Sequence, residues 1–283
     1  MSEISSSQEI PKRQVFHDLP REEQQERVYF GNVSRSVFNE LKLHSAIGLW
    51  QRNVKGERDW GNVSEHCLVE VARVSIFVDL LGFSHGLKQD LLKAAALHDF
   101  FKKGEREILE AKEFSWEAME EAETESERRL EKAGFSKRAV RLAGSVGHNS
   151  LQDIQEILQQ NTLSPDEIAF LVMHYVDDIT VNSEWGQPAQ TMPDGSMTND
   201  LDRRMDKAEV TPRYVNINQE GKNHIDGETA FHAQRRIGHI VEKRLASLIY
   251  QNSGQQIEPF YLPEYIDGII KADIAKVQIK QKP

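Results

Sequence analysis

Apolar residues recur at helical spacing along most of this chain, and no segment longer than a few residues shows the alternation of a β-strand. This periodicity restricts the choice of fold strongly, because a helix buries one apolar stripe against other elements. The predicted helices cover about 34–51, 64–81, 87–101, 105–133, 136–146, 151–160, 165–181, 228–250 and 263–275. The predicted fold class is all-α: a helical core with additional C-terminal helices.

Two of these helices carry further information. The helix at 165–181 follows Ser164 as N-cap, with Pro165 at its first position and Glu167 at its third, and these start signals agree with one another. It is apolar on nearly every side, which predicts a buried central helix. The helix at 105–133 is highly charged, and we interpret its charges as a solvated face.

The segment 182–227 is polar and interrupted by glycine and proline, with one short helix predicted near 199–208. Long irregular segments within a domain are often lids or binding loops. We therefore divide the chain into an N-terminal arm (1–33), a core (34–181), and a lid-like segment followed by C-terminal helices packed on the core (182–283). The last part is expected to cover the site or to form a homodimer contact.

The charge balance excludes some functions. The chain has 35 Lys and Arg against 45 Asp and Glu, a formal net charge of −10, which disfavours a bulk nucleic-acid binder. A single cysteine, Cys67, excludes an intrachain disulfide and a cysteine zinc cage. The first residues resemble no signal peptide, and no apolar run is long enough for a membrane span. The expected location is cytoplasmic, without membrane contact.

Several ionisable residues fall on apolar helices, where they are costly unless paired or bound to metal. His66 lies near the start of one helix, His98 and Asp99 lie together at the end of another, and Asp177 and Asp178 lie inside the buried helix. Imidazole and carboxylate together suit divalent Mn, Fe, Co, Ni, Zn or Mg. We therefore predict a divalent metal ion as cofactor, without choosing among these.

The order of these residues resembles the HD-domain metal-dependent phosphohydrolase superfamily. The resemblance lies in NVSEHCLVEVARV around His66, in LLKAAALHDFFKKGE around His98 and Asp99, and in IAFLVMHYVDDIT around Asp177. It covers roughly residues 34–181. The residues that follow the family's last aspartate favour Asp177 over Asp178 as its counterpart.

The resemblance implies a five-helix HD-domain core with one metal ion held by His66, His98, Asp99 and Asp177. It implies an enzyme that hydrolyses a phosphomonoester or phosphodiester, most plausibly of a nucleotide, by metal-activated water. Asp99 is then both ligand and catalytic residue. Lys102, three positions after Asp99, is a candidate for catalysis and for phosphate binding; the alternative is a cation serving a helix C-terminus.

Further residues leave alternatives open. His148 is a candidate for catalysis, substrate binding or a second metal ion. His174 is either a second-metal ligand or a hydrogen-bonded core imidazole. Arg73 either binds the substrate phosphate or belongs to a structural salt bridge. His44 lies on an apolar face, which is typical of a core histidine.

Other readings of the chain stay open. Some superfamily members are two-iron oxygenases, whose second iron would here use His148 and His174; another alternative is a nucleotide-binding module without turnover. The stretch DRRMDK at 202–207 is either a phosphate-contacting lid or a solvated helix. The polar stretch 216–223 suits a substrate loop.

Overall fold

The computed structural model describes residues 16–46, 61–181 and 186–279. Within these ranges the chain forms thirteen α-helices and one two-stranded antiparallel hairpin, which confirms the all-α prediction. The elements are α1 (Arg21–Ser36), α2 (Phe38–Ala46), α3 (Gly61–Leu81), α4 (His85–Leu97), α5 (Lys102–Ala111), α6 (Trp116–Lys132), α7 (Lys137–Ala143), α8 (Leu151–Leu158), α9 (Pro165–Ile179), β1 (Gln190–Thr191), β2 (Met197–Thr198), α10 (Asp200–Glu209), α11 (Val215–His224), α12 (Ala230–Ser253) and α13 (Leu262–Lys276). No helix in the described ranges has a stretch long and apolar enough to cross a bilayer.

Helix α9 occupies the centre of the fold, as its sequence predicts. It contacts α3, α4, α7 and α12, and every residue from Ala169 to Ile179 is buried. Its N-terminus is fixed by a capping box, in which Ser164 Oγ accepts from Glu167 N and the Glu167 carboxylate accepts from Ser164 N. This rigid helix carries Asp177 and Asp178 in its last turn.

The connection after α4 differs from the prediction. The helix expected over 87–101 ends at Leu97, and a turn in which Phe100 N donates to the Leu97 carbonyl leads into α5 at Lys102. Lys102 therefore opens a helix, and the prediction of a C-terminal cation is wrong. Neither glycine nor proline occurs between Leu97 and Lys102. In this turn, hydrogen bonds between residues three apart replace those of the α-helix.

The charged helix predicted at 105–133 is two helices, α5 and α6. Between them, Glu113 and Phe114 both have φ of 55°, a backbone conformation uncommon for residues other than glycine. Ser115 then caps α6 by accepting from Ala118 N. The two helices lie side by side, which buries Leu109, Trp116 and Leu130 on one wall of the core.

The N-terminal part also contains more helix than expected. The helix predicted over 34–51 corresponds to the end of α1 and to α2, and 47–51 lie outside the described residues. Helix α1 starts within the predicted arm and contacts α3 and α13. Gln25 donates to the carbonyls of Ala275 and Val277. The division of the chain at residues 33 and 181 stays a prediction.

The segment after residue 186 contains the predicted short helix as α10, and a second helix, α11, that replaces the expected loop at 216–223. Helix α10 packs on α9 and α12, and α11 packs on α6 and α12. Gly221 allows this second contact, because a Cβ there would collide with the backbone of Ala230. Both helices thereby reach the core.

His239 of α12 links its own helix to α10 through contacts with Asp202 and Glu242, and we call these three residues the imidazole clip. His239 Nε2 lies 3.0 Å from Asp202 Oδ1, and His239 Nδ1 lies 3.0 Å from Glu242 Oε2. The ring stacks on Phe260, and Arg235 also approaches Asp202. Burial alone would lower the pKa of His239, but the two carboxylates raise it to about 9. The folded protein therefore favours the charged ring.

The clip gives a prediction for stability. Because the folded pKa of His239 exceeds its ordinary value, its contribution is complete below about pH 6.5 and is lost as pH rises through 9. Urea unfolding at pH 6 should show a His239→Gln variant less stable than wild type by about 1 kcal/mol after allowance for solvent screening. The difference should shrink by pH 9.5. An unchanged difference between the two pH values would contradict the clip.

Candidate metal centre

A cavity of about 380 Å³ lies where α3, α9, α10 and the turn after α4 meet. Helix α3 contributes His66, the turn contributes His98 and Asp99, and the last turn of α9 contributes Asp177. Residues separated by more than 100 positions therefore share one wall. Three of the four predicted ligands, His66, His98 and Asp177, are brought into one group because α9 packs against both α3 and α4. The fourth, Asp99, lines the same cavity but is not part of that group.

The atoms of this group face one another at distances suited to a shared ion. Asp177 Oδ1 lies 3.5 Å from His66 Nε2 and 3.9 Å from His98 Nε2. Asp99 Oδ2 also lies 3.9 Å from His98 Nε2. Although burial alone would raise the pKa of Asp177, Arg204 and the two imidazoles hold it well below its usual range. This carboxylate is charged and available as a ligand.

The orientation of His98 supports metal binding. Its Nδ1 faces two acceptors, the Ala95 carbonyl at 3.0 Å and Glu70 Oε2 at 3.2 Å. The proton of the neutral ring therefore sits on Nδ1, which leaves a lone pair on Nε2. That Nε2 is buried and makes no hydrogen bond within the described residues. A buried, unpartnered nitrogen aimed at two carboxylates fits a divalent metal ion.

Glu70 belongs to this group and was missed from the sequence. Its side chain is 0% exposed, and Oε1 lies 2.8 Å from His66 Nε2. One ligand atom each from His66, Glu70, His98 and Asp177 lie within 4.8 Å of one another. The available signal is its position one helical turn after His66 in an apolar helix. The four-ligand pattern of the resemblance does not include this position.

The neighbourhood of Glu70 affects protonation. Burial raises the pKa of Glu70. Burial would lower the pKa of His66, but Glu70 and Asp177 raise it to about 10. Without a metal ion, His66 is therefore protonated near neutral pH. Metal binding must displace that proton, since imidazole ligates only in its neutral form.

Lys102 lies on the cavity beside the cluster. Its Nζ is 3.1 Å from Asp99 Oδ1 and 3.0 Å from Glu105 Oε1. Burial favours the neutral form of Asp99, yet Lys102, followed by His98 and His66, holds the pKa of Asp99 well below its usual range. The helix dipole does not stabilise a cation at a helix N-terminus. The position of Lys102 is therefore stabilised by its ion pairs with these two carboxylates. The cavity therefore has a cation next to the candidate ligands.

His148 lines the same cavity but is not part of the ligand group. It follows Gly147, whose φ of 75° turns the chain sharply, and its ring lies between Trp116 and Phe231. Burial, aided by Lys102, lowers the pKa of His148 to about 4. The ring is therefore neutral at pH 7 and can donate one hydrogen bond to a bound molecule or accept one from it.

His174 does not reach the cavity lining. Its Nδ1 lies 2.9 Å from the Ser145 carbonyl and 3.1 Å from Ser150 Oγ, and its Nε2 lies 3.2 Å from Asp178 Oδ2. These contacts match the core imidazole among the two predicted alternatives. In the part of the chain that the structure describes, neither His148 nor His174 joins a group of three candidate ligands. The prediction of a second metal ion on these two residues has no support in the geometry.

The two acids of α9 have separate partners. Asp178 faces His174 and accepts from Gln234 Nε2, whereas Asp177 faces the cluster. The preference for Asp177 agrees with this arrangement. His44 is a core histidine, as predicted, since its ring nitrogens contact Ser64 Oγ and the Ala96 carbonyl.

Arg73 does not line the cavity. The structure therefore corrects the alternative in which Arg73 binds the substrate phosphate. The side chain is 0% exposed and donates to both oxygens of Asp267, at 2.9 and 2.7 Å. Its remaining donor bonds Thr180 Oγ1 and the Ile179 carbonyl. Arg73 lies two turns beyond His66, at a level of α3 that faces α13 rather than the cavity. The structural salt bridge is the alternative that the structure shows.

The adjacent arginines of α10 have different surroundings. Arg203 points away from the cavity and donates to Asp200 and to the Gln187 carbonyl. Arg204 lines the cavity, where Nη2 lies 3.0 Å from Asp177 Oδ1 and Nη1 bonds the Thr180 carbonyl. The stretch 202–207 is thus neither wholly a solvated helix nor a detached lid. One of its arginines contacts the candidate metal centre.

The chain was compared with protein-family models, curated proteins and solved structures, and nothing matches in any of the three comparisons. The likeness to the HD-domain superfamily therefore rests on the residues and their arrangement. Helices bring His66, His98 and Asp177 together in the order and surroundings that the resemblance implies. What these findings establish is a helical protein with a buried group of histidines and carboxylates that can bind a metal ion.

Proposed function

We propose that this chain is a metal-dependent phosphohydrolase of the HD-domain type. The observation that carries the proposal is the buried Nε2 of His98, which makes no hydrogen bond to the part of the chain that the structure describes and faces Asp99 and Asp177 on a cavity wall. Lys102 on the same wall suits a phosphorylated substrate. An acyl or sugar substrate without phosphate would leave this ammonium without an anionic partner other than the site's own carboxylates.

Each residue has a defined part in the proposed reaction. His66, His98 and Asp177 would hold the ion, Asp99 would join them from the turn after α4, and Glu70 orients the imidazoles of His66 and His98. A divalent ion held there would polarise a phosphoryl oxygen and would lower the pKa of a bound water. Lys102, on the same cavity wall, neutralises charge on the substrate phosphate.

The second half of the cavity binds the rest of the substrate. Lys102 donates to a phosphate oxygen, and the neutral ring of His148 donates one hydrogen bond to a phosphate or leaving-group oxygen. The aromatic rings of Tyr214 and Phe231 also line the cavity, with centroids 6.0 Å apart. A flat base stacks favourably on such surfaces, which supports a nucleotide among phosphoesters.

A phosphoester panel tests this function. The purified chain, loaded in turn with Mn²⁺, Co²⁺, Ni²⁺, Zn²⁺ and Mg²⁺, should hydrolyse at least one nucleotide or generic phosphoester, and a chelator should stop the reaction. Asp99→Ala should lower kcat/KM by about 100-fold or more, as expected for loss of a ligand that also positions Lys102. Asp79→Ala, at an exposed carboxylate on α3, is the matched control.

Other outcomes would point to another function. Full activity and full metal content in Asp99→Ala would show that the site is wrongly assigned. Tight nucleotide binding with every metal but no turnover would favour a binding module. Dioxygen uptake under iron loading would favour the oxygenase, for which His174 is poorly placed because both of its ring nitrogens contact core groups.

A further inference from the structure

One carboxylate oxygen of Asp177 faces both the candidate ligand histidines and an arginine. Asp177 Oδ1 faces His66 Nε2 and His98 Nε2, and the same atom lies 3.0 Å from Arg204 Nη2. A metal ion bound to the two imidazoles and to this oxygen would compete with the guanidinium for the same carboxylate. Each of the two cations therefore weakens the pairing of the other with Asp177 Oδ1.

The helix that carries Arg204 is held by tertiary contacts, whereas the Arg204 side chain is partly exposed. Helix α10 is fixed to α12 through His239, and the Asn199 side chain that caps it donates to Glu242. The Arg204 side chain itself is 28% exposed, on the cavity. Its hydrogen bonds go to Asp177 and to the Thr180 carbonyl. A rotation about its side-chain bonds changes its partner without moving the helix.

The local charges give a reason for such a change. Without metal, the buried carboxylates of Glu70, Asp99 and Asp177 need cations nearby, since an unpaired buried charge is costly. A divalent ion supplies that charge and weakens the hold of Asp177 on Arg204. The released guanidinium then lies beside the site where a phosphate would bind. Guanidinium matches phosphate through two parallel hydrogen bonds better than ammonium does.

We propose that Arg204 exchanges partners, pairing with Asp177 in the metal-free protein and with the substrate phosphate in the metal-loaded one. This inference rests on the proposed phosphohydrolase function and adds to it a phosphate-binding residue from outside the HD-like segment. It gives α10 a role in the site: the helix completes the anion-binding wall that Lys102 begins. Arg204 also competes with metal when no phosphate is present.

The test compares Arg204→Gln with Arg203→Gln, a matched control one position away whose guanidinium bonds Asp200 instead. Calorimetry measures Mn²⁺ binding first without phosphate and then inorganic phosphate binding to the Mn²⁺-loaded protein. Arg204→Gln should bind Mn²⁺ about 3- to 10-fold more tightly, because a competing cation is removed. It should bind phosphate about 10-fold or more weakly, as expected for a lost charge-assisted pair. Arg203→Gln should match wild type in both.

A second variant separates exchange from a structural role. Arg204→Lys keeps the charge and should restore the wild-type Mn²⁺ affinity but only part of the phosphate affinity. Unchanged phosphate binding in Arg204→Gln, or weakened binding of both ligands, would overturn the exchange while leaving the phosphohydrolase proposal intact. Wild-type protein that binds none of Mn²⁺, Co²⁺, Ni²⁺, Zn²⁺ and Mg²⁺ would overturn both.

Discussion

His98→Ala should abolish tight metal binding, with an affinity for Mn²⁺ lowered by more than about 100-fold. The reason is that His98 Nε2 faces both Asp99 and Asp177 and makes no hydrogen bond to any described residue. Phosphoester turnover should fall with the metal, to the level of chelator-treated wild type. Calorimetry with Mn²⁺ and metal analysis after dialysis measure the first effect, and the phosphoester panel measures the second.

The control for this variant is His85→Ala, an exposed histidine at the start of α4. It should keep wild-type metal content. Since His98 also contacts buried Glu70, His98→Ala should lose about 1–3 kcal/mol of unfolding free energy in the metal-free state, and circular dichroism must show that it is folded. A folded His98→Ala protein with wild-type metal affinity would contradict the assignment of the centre.

Arg73→Met should lower the free energy of unfolding by about 3–5 kcal/mol, more than His239→Gln or His98→Ala. The substitution leaves Asp267 buried without the guanidinium that contacts both of its oxygens. The Gly186 amide, which also donates to Asp267, is too weak a partner to replace a charge. Urea unfolding without metal measures the loss directly.

A compensating variant tests the physical reason. Arg73→Met with Asp267→Leu removes both charges and should recover much of the stability, because replacing a buried pair by apolar groups is often neutral. The double variant should retain Mn²⁺ affinity, as Arg73 lies outside the cavity lining. If Arg73→Met is as stable as wild type but binds phosphate poorly, Arg73 contacts the substrate and the structural alternative is wrong.

The parts of the fold that could be predicted depend on local physics. The Ser164 capping box and the apolar faces of α9 act within a few residues, so sequence order alone indicates them. The breaks after Leu97 and at Glu113 could not be predicted, because neither contains the glycine or proline that ends most helices. In both cases tertiary packing outweighs helical propensity.

The candidate site divides in the same way. His66, His98 and Asp177 stand out because polar residues on apolar helices are rare and need a reason. Glu70 obeys the same rule and could have been found from its spacing to His66. Arg204 could not, since its place beside Asp177 depends on how α10 packs on α9 and α12. The same holds for Arg73, whose partner is 194 positions away.

The proposed function requires one divalent metal ion at His66, His98, Asp99 and Asp177. It is tested most directly by a crystal soaked in Zn²⁺ and measured at the zinc absorption edge, which locates the ion without relying on activity. One anomalous peak per chain is expected, about 2.0–2.2 Å from His66 Nε2, His98 Nε2 and one carboxylate oxygen each of Asp99 and Asp177. A crystal with no peak at this position, or with its strongest peak at His174 and Asp178, would contradict it.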